Sequence, residues 1–358
     1  MSDNITVIGA GNAGYAIAAD MTLAGHKVLL YEFPAFKGNL APIMYAGGIL
    51  TTGVSRTGFA KLHTVSTDIE EAMQHSDIIM VATQSLAHEM LAEFMAPFVQ
   101  DEHLFLFMPG SLGTLVCANY FKAKEITNKC MFAETYTLPY ACRKLDGPGT
   151  INIHRKVEPA GVLTGVFPAK RTDEALACLQ AYFPSMVPAA NVIECALQNP
   201  NNMVHPIGAL LNLGRIEYTK GDFWVYKEGF TDSVFTLMKA VDKEKCQVLE
   251  GLDIPALTYF EIKQRLNSIS FQDFAKVSSK GPFSVFDRYI TEDVPNGLHL
   301  ISSLGKEFDF DTSITDSIIH IFSCLTGTDY FKTGRSTEKL GISGLTVQEL
   351  NKCLQEGF

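Results

Sequence analysis

His205, Arg288 and Asp293 are the side chains whose types and settings best suit acid–base chemistry on a carboxylated substrate. The run Asn199-Pro200-Asn201-Asn202-Met203-Val204-His205-Pro206-Ile207-Gly208 predicts a helix opened by an asparagine cap and a first-turn proline. At 3.6 residues per turn, Asn201, His205, Gly208 and Asn212 share one face, while Met203, Val204, Ile207, Leu210 and Leu211 make the rest largely apolar. A polar stripe on such a helix usually faces a cleft. Pro206 has no N–H to give to the Asn202 carbonyl, so a kink or restart is expected beside His205. Downstream, Phe286-Asp287-Arg288-Tyr289-Ile290-Thr291-Glu292-Asp293 offers a guanidinium fork for a carboxylate and an aspartate able to orient an imidazole. Taken alone, the histidine reads more simply as a structural residue and the Arg–Asp pair as a surface ion pair in a turn.

These side chains need a scaffold and a reaction partner, and the start of the chain suggests both. Ile5-Thr6-Val7-Ile8 reads as a buried strand, followed by Gly9-Ala10-Gly11-Asn12-Ala13-Gly14 and an apolar helix over 13–23. Glycines at 9, 11 and 14 permit a tight turn, close approach of a pyrophosphate and close packing of helix on strand. The helix start, including Asn12 and Ala13, presents unpaired N–H groups and a positive dipole end to phosphates. Lys27-Val28-Leu29-Leu30-Tyr31-Glu32 supplies a second strand ending in a carboxylate suited to the adenosine ribose hydroxyls. Because that carboxylate would repel a 2′-phosphate, NAD is expected in preference to NADP. Thr83, after the strand 77–82, and Pro109, after the strand 104–107, stand at strand ends where ligands of open α/β sheets bind.

The remaining pattern predicts an α/β fold: an N-terminal Rossmann-type, doubly wound, mainly parallel sheet over 1–190, then an all-helical domain over 191–358. Residues 48–66 read as a small strand pair at the sheet edge, and 130–134, 150–154 and 161–166 as strands extending the sheet. Helices are expected at 34–48, 68–75, 85–99 and 172–183, and in the second domain at 200–216, 228–252, 256–266, 312–325 and 346–354.

Composition narrows the class. In 358 residues the formal net charge is −10 and no Lys/Arg run occurs, which disfavours nucleic acid or an anionic membrane as partner. No secretory leader and no apolar run of membrane-spanning length is evident, so a cytoplasmic protein is expected. Eight cysteines lie scattered without a CxxC pair, and nine histidines lack ligand spacing, so no disulfide framework and no metal is expected. A homodimer is the expected assembly, as closed two-fold assemblies are the commonest.

Four features together resemble one family: Gly-x-Gly-Asn-x-Gly at the start, Asn-x-x-x-His-Pro at His205, Arg288-Tyr289 followed by Glu292-Asp293, and Gly334-Arg335-Ser336-Thr337-Glu338-Lys339-Leu340-Gly341 near the end. Their order and spacing resemble the octopine/nopaline-type opine dehydrogenases, most nearly the bacterial N-(1-carboxyethyl)-norvaline dehydrogenases of similar length. The resemblance implies condensation of a 2-oxo acid, typically pyruvate, with an amino acid, and reduction of the imine by NADH or NADPH. It implies His205 as general acid/base, Asp293 as its partner and Arg288 as the carboxylate-binding arginine. Glu134, Thr135 and Cys142 are implied as substrate-facing by a looser match, and Asn202 and Met203 beside His205 complete the expected substrate residues. Two other readings stay open: a 2-oxo acid reductase of the ketopantoate or glycerol-3-phosphate type, which would recruit a lysine as general acid where the matching helix here offers His205 and Lys220 comes only after it, and a catalytically silent NAD-binding protein.

Overall fold

The computed structural model describes residues 3–127, 129–157, 160–278 and 280–358. The chain divides into two compact units, Met1–Val192 together with Leu354–Phe358, and Ile193–Cys353.

The first unit is built on an eight-stranded sheet. Its strands are β1 (Asn4–Ile8), β2 (Lys27–Tyr31), β5 (Thr64–Ser66), β6 (Ile78–Val81), β7 (Leu104–Phe107), β8 (Met131–Thr135), β11 (Val162–Phe167) and β12 (Met186–Pro188), in the spatial order β12-β11-β8-β7-β6-β1-β2-β5. Pairing is parallel throughout except between β11 and β8, where Thr164 lies opposite Thr135 and Phe167 opposite Phe132. Strands β6, β7, β8 and β11 are buried at every position, and β6 and β7 accordingly read in sequence as unbroken apolar runs. The order reverses about β1, with β2 on one side and β6 on the other, and this is where open α/β sheets bind ligands.

A second sheet of four strands has the order β4-β3-β10-β9, from β3 (Ile49–Gly53), β4 (Gly58–Ala60), β9 (Tyr140–Lys144) and β10 (Thr150–Lys156). Here the sequence expectation is corrected: 150–154 does not extend the main sheet but pairs with β3 and β9. The reason lies in its pattern, since Ile151 and Ile153 are buried while Asn152 and His154 are not, the alternation of a strand covered on one face only. Strands β9 and β12 carry no comparable sequence signal and were not expected.

One carboxylate anchors the second sheet to the first helix, Asn12–Leu23. Asp20 is fully buried and accepts from Ser55 Oγ (2.6 Å) and from the Tyr140 hydroxyl (2.7 Å), with Arg56 Nη1 at 3.0 Å and Lys156 Nζ at 3.3 Å. Burial alone would raise its pKa; the two hydrogen bonds and two cations outweigh burial and hold it below the ordinary 3.8. At the other end of the chain, Phe358 returns to this unit and packs on Phe167, ring centroids 5.2 Å apart.

The second unit is helical around Asp232–Gly251, with Asn201–Leu210, His299–Glu307 and Ser313–Thr326 as its other long members. Glu244 accepts from the backbone N–H of Ile314 and Thr315 (2.8 and 2.9 Å) and so caps the last of these. The helix expected from 228 begins at Asp232 instead, because 225–229 forms a π-helical turn whose Gly229 carbonyl is tied to Asn212 Nδ2 at 3.1 Å. The expected 200–216 helix is two, Asn201–Leu210 and Leu213–Thr219. Among the described residues no helix is long and apolar enough to cross a membrane.

Asp20→Asn should weaken the charge-assisted hydrogen bonds from Ser55 and Tyr140 and leave two partly exposed cations unpaired, lowering the unfolding free energy by roughly 1–3 kcal/mol. As the native pKa of Asp20 is depressed, its stabilisation is present above 3.8 and lost as pH falls through the native value. Denaturant titrations from pH 7 downward should therefore show wild type and variant converging in acid.

Candidate functional site

The first unit carries the dinucleotide-binding turn. Gly9 has φ +100°, and a Cβ there would sit 3.1 Å from the Ala82 backbone; a Cβ on Gly14 would lie 1.7 Å from the Gly9 carbonyl oxygen. Both positions therefore demand glycine for the chain's own packing. Gly11 is different, for a Cβ there meets nothing within 4 Å, so its bareness leaves open space beside the helix start. Glu32 is buried at the end of β2 and accepts from Ala10 N–H (3.0 Å) and Asn39 Nδ2 (2.9 Å), fixing the turn to the strand. Thr83 packs its methyl against Gly9, and its Oγ1 is enclosed with no hydrogen-bond partner among the described residues. An enclosed donor without a partner, open space at Gly11 and a carboxylate at the strand end fit an NAD-type dinucleotide.

Pro109 lies in the turn after β7, and that turn is held by Glu134. The Glu134 carboxylate is fully buried and accepts from Leu112 N–H (3.0 Å) and Thr114 Oγ1 (2.6 Å), while Thr135 O accepts from Gly110 N–H. This corrects the expectation that Glu134 faces substrate: its oxygens are committed to the start of the helix Gly113–Ala123, which gains a negative charge at its positive end. Thr135 is likewise buried, with no partner for its Oγ1 among the described residues. Cys142 stands on β9, donates to the Asn12 carbonyl at 3.4 Å, and its thiol is pushed up to about 12 by burial. A thiol so hard to ionise is no nucleophile, and in this structure it belongs to the surroundings of the glycine turn.

The second unit brings together the other expected residues. His205 and Asp293 are buried at 4 and 6 % exposure, with Nδ1 and Oδ2 2.7 Å apart. Asn199 Oδ1 accepts from Asn201 N–H at 3.0 Å and starts the His205 helix as the sequence suggested. The helix runs through Pro206 without the expected break and ends at Leu210. Asp293 follows a single helical turn, Arg288–Thr291, whose start is fixed by Asp287 accepting from Tyr289 N–H (3.2 Å). Gly297 lets this segment approach the His205 helix, because a Cβ there would sit 2.6 Å from Asn202 Oδ1 and 3.1 Å from Asn202 Cα.

Tyr289 covers one face of the imidazole, the rings stacked 3.6 Å apart at 6°, and its hydroxyl lies 3.2 Å from that of Tyr226. The sequence reading gives Tyr289 no role of its own. For Tyr289 a signal existed: four residues before Asp293 on a helical segment, it falls on the same side. Arg288 is half exposed, with a long 3.8 Å contact to Glu292, so its guanidinium is open to a ligand. Asn202 and Met203 are corrected: both are 1 % exposed, Asn202 spends its amide on the Ala196 carbonyl (3.0 Å), and Met203 is core.

Removal from water sets the charge state of the pair. Burial depresses imidazolium formation at His205 well below its ordinary 6.5 and pushes the Asp293 carboxyl up to about 7. The adjacent Arg288 further opposes the cation on His205 but pulls the carboxyl pKa down. Sharing one cause and one hydrogen bond, the two groups exchange a proton as a unit near neutrality. Such a pair can give a proton to a carbonyl or imine and take one back.

Comparison with known proteins agrees with this division of labour. Residues 4–109 match the family described as NAD-dependent glycerol-3-phosphate dehydrogenase N-terminus, and residues 188–326 match NAD/NADP octopine/nopaline dehydrogenase, alpha-helical domain. The chain is thus an NAD(P)-dependent oxidoreductase with a Rossmann-type unit followed by a helical one. More particularly, it is similar along its length to the opine dehydrogenases. An opine dehydrogenase of Arthrobacter sp. (strain 1C) is 28 % identical, covering 99 % of each chain. Octopine dehydrogenase in complex with NADH and agmatine shares the fold at a TM-score of 0.74, with 16 % identity and 97 % of each chain covered. NADP+-bound yersinopine dehydrogenase does so at 0.68, with 12 % identity and coverage of 99 % of this chain and 98 % of that one.

Gly297→Ala should force the Asp293 segment away from Asn202 and lower stability by roughly 1–3 kcal/mol, the usual range for overpacking a tight contact. Chemical denaturation checks the cost. Dinucleotide affinity, measured on the same protein, should be unchanged.

Proposed function

We propose that this chain catalyses the reversible NAD(P)H-dependent condensation of a 2-oxo acid, pyruvate being the first candidate, with the amino group of an L-amino acid, giving an N-(1-carboxyalkyl)amino acid. The observation that carries the reading is the buried His205–Asp293 hydrogen bond with the open Arg288 guanidinium on the Asp293 segment. The full-length similarity to an opine dehydrogenase supports it.

In this reading Arg288 holds the oxo acid carboxylate through its planar fork. Asp293 accepts from Nδ1–H of His205, which turns Nε2 toward the chemistry and fixes the tautomer. The amine adds to the carbonyl carbon, and His205 protonates the departing oxygen, which leaves as water when the C=N bond forms. A bound dinucleotide supplies the hydride that reduces this bond. Tyr289, stacked on the imidazole, favours its charged form through its π face and keeps the ring in plane. The rings of Tyr226, Phe230, Phe271 and Phe274, packed together next to Tyr289, support an amino acid with an apolar side chain.

Lys220, the residue a simple reductase would need as its acid, is exposed at the end of the helix Leu213–Thr219. Following NADH oxidation with pyruvate alone and with pyruvate plus an amino acid panel tests the proposal. Turnover is expected only with amine present; turnover that ignores the amine would refute it. His205→Asn should lower kcat by about 100- to 10,000-fold while NADH still binds, as loss of a general acid predicts.

The pH dependence follows from Asp293, whose raised pKa means that the pair keeps its proton up to about 7. The reductive direction consumes that proton, so its kcat/KM should fall as pH rises through this value, and the oxidative direction should rise. Asp293→Asn should abolish this inflection in both profiles.

A further inference from the structure

Three features surround the glycine turn and are not used by the dinucleotide motif. Strand β9, from the second sheet, lies along the turn: Lys144 N–H donates to Asn12 Oδ1 (2.8 Å), Cys142 Sγ donates to the Asn12 carbonyl (3.4 Å), and Lys144 Nζ donates to the Ala10 carbonyl (2.7 Å). The Lys144 ammonium also sits over the Tyr15 ring, 3.6 Å from its centroid. Among the described residues no carboxylate lies within 4 Å of it, unlike Lys156 on the neighbouring strand, which pairs with Asp20. The strand is held in place by the buried Asp20 cluster through Tyr140, four residues before Lys144. A partly buried ammonium with no carboxylate in contact, mounted at a phosphate-binding turn by a separate sheet, is placed to receive an anion.

We propose that Lys144 is a dinucleotide-binding residue that pairs with the pyrophosphate, so that the four-stranded sheet acts as a clasp contributing one cation to the Rossmann turn. The sequence motif has no lysine of its own, and the backbone N–H groups at the helix start provide dipoles but no full charge. Glu32, two hydrogen bonds away across Ala10, adds a negative charge to the same turn. Lys144 offsets it where two phosphates must settle. Its hydrogen bond to Ala10 is a resting contact that the pyrophosphate oxygens replace, and the Tyr15 face limits where the ammonium can go. Because the pyrophosphate is common to both cofactors, Lys144 serves NADH and NADPH alike. The inference concerns cofactor binding alone and stands whether or not an amine is the second substrate.

The test uses the full chain with Lys144→Met and Lys144→Arg. NADH and NADPH affinities are measured by fluorescence, with ADP and adenosine as competing probes, at low and high salt. For Lys144→Met, NADH, NADPH and ADP should each weaken by about 10- to 100-fold at low salt, the range of a charge-assisted hydrogen bond. The loss should shrink as salt rises, adenosine should be unaffected, and Lys144→Arg should recover most of the affinity. Equal weakening of ADP and adenosine would show that Lys144 only supports the turn, and overturn the proposal. Loss confined to NADPH would assign the lysine to the 2′-phosphate and overturn it equally, as would unchanged affinity for all probes.

Discussion

The hydrogen bond between His205 and Asp293 is the contact around which the second unit's candidate site is built, and both of its groups have been taken out of water. In solvent, an imidazole and a carboxylate would titrate independently more than two pH units apart. Buried together, the carboxyl is pushed up and the imidazolium down until they behave as one acid. The surrounding structure is arranged to keep that pair dry and aligned. A tyrosine ring covers one imidazole face, a glycine brings the two segments into contact, and an asparagine caps the helix at its start.

The first unit follows a parallel logic with the opposite sign of charge. There the constraint is to hold a backbone turn so tightly that its N–H groups point outward, and this is achieved by carboxylates used as braces. Glu32 ties the glycine turn to the end of β2, Glu134 ties the turn after β7 to the helix that follows, and Asp20 fixes the smaller sheet to the first helix. Asp20 and Glu134 are satisfied by the protein itself, each by hydrogen bonds that offset its desolvation, while Glu32 braces the turn from the strand end where a dinucleotide ribose would lie.

Much of this was legible in the chain alone. The glycine turn, the alternation of strands and helices and the change to helical periods after 190 all follow from local backbone geometry and hydrophobic spacing. Because β6 and β7 are buried on both faces, their apolar runs are unambiguous. Strand β10 was visible as a strand but assigned to the wrong sheet, since pairing partners depend on contacts with residues about a hundred positions away. Strand β9 mixes polar and apolar residues with mixed burial and so did not read as a strand, although the turn Asp146-Gly147-Pro148-Gly149 that joins it to β10 is plain in the sequence. Glu134 and Asn202 were taken for ligand residues because a polar residue at a strand end or in an active-site helix looks the same in sequence whether it faces solvent or backbone.

The sequence by itself determined which residue types are available and where the backbone can bend: glycines at 9 and 14, a histidine next to a proline on a capped helix, and an arginine and aspartate five residues apart. These depend on sterics and spacing over a few residues. Only the tertiary structure decided that His205 and Asp293, 88 positions apart, are hydrogen-bonded, that Tyr289 stacks on the imidazole, and that Lys144 reaches the glycine turn from another sheet. Such arrangements depend on which surfaces exclude water from one another, and burial, which sets the pKa of each group, belongs to the folded chain as a whole.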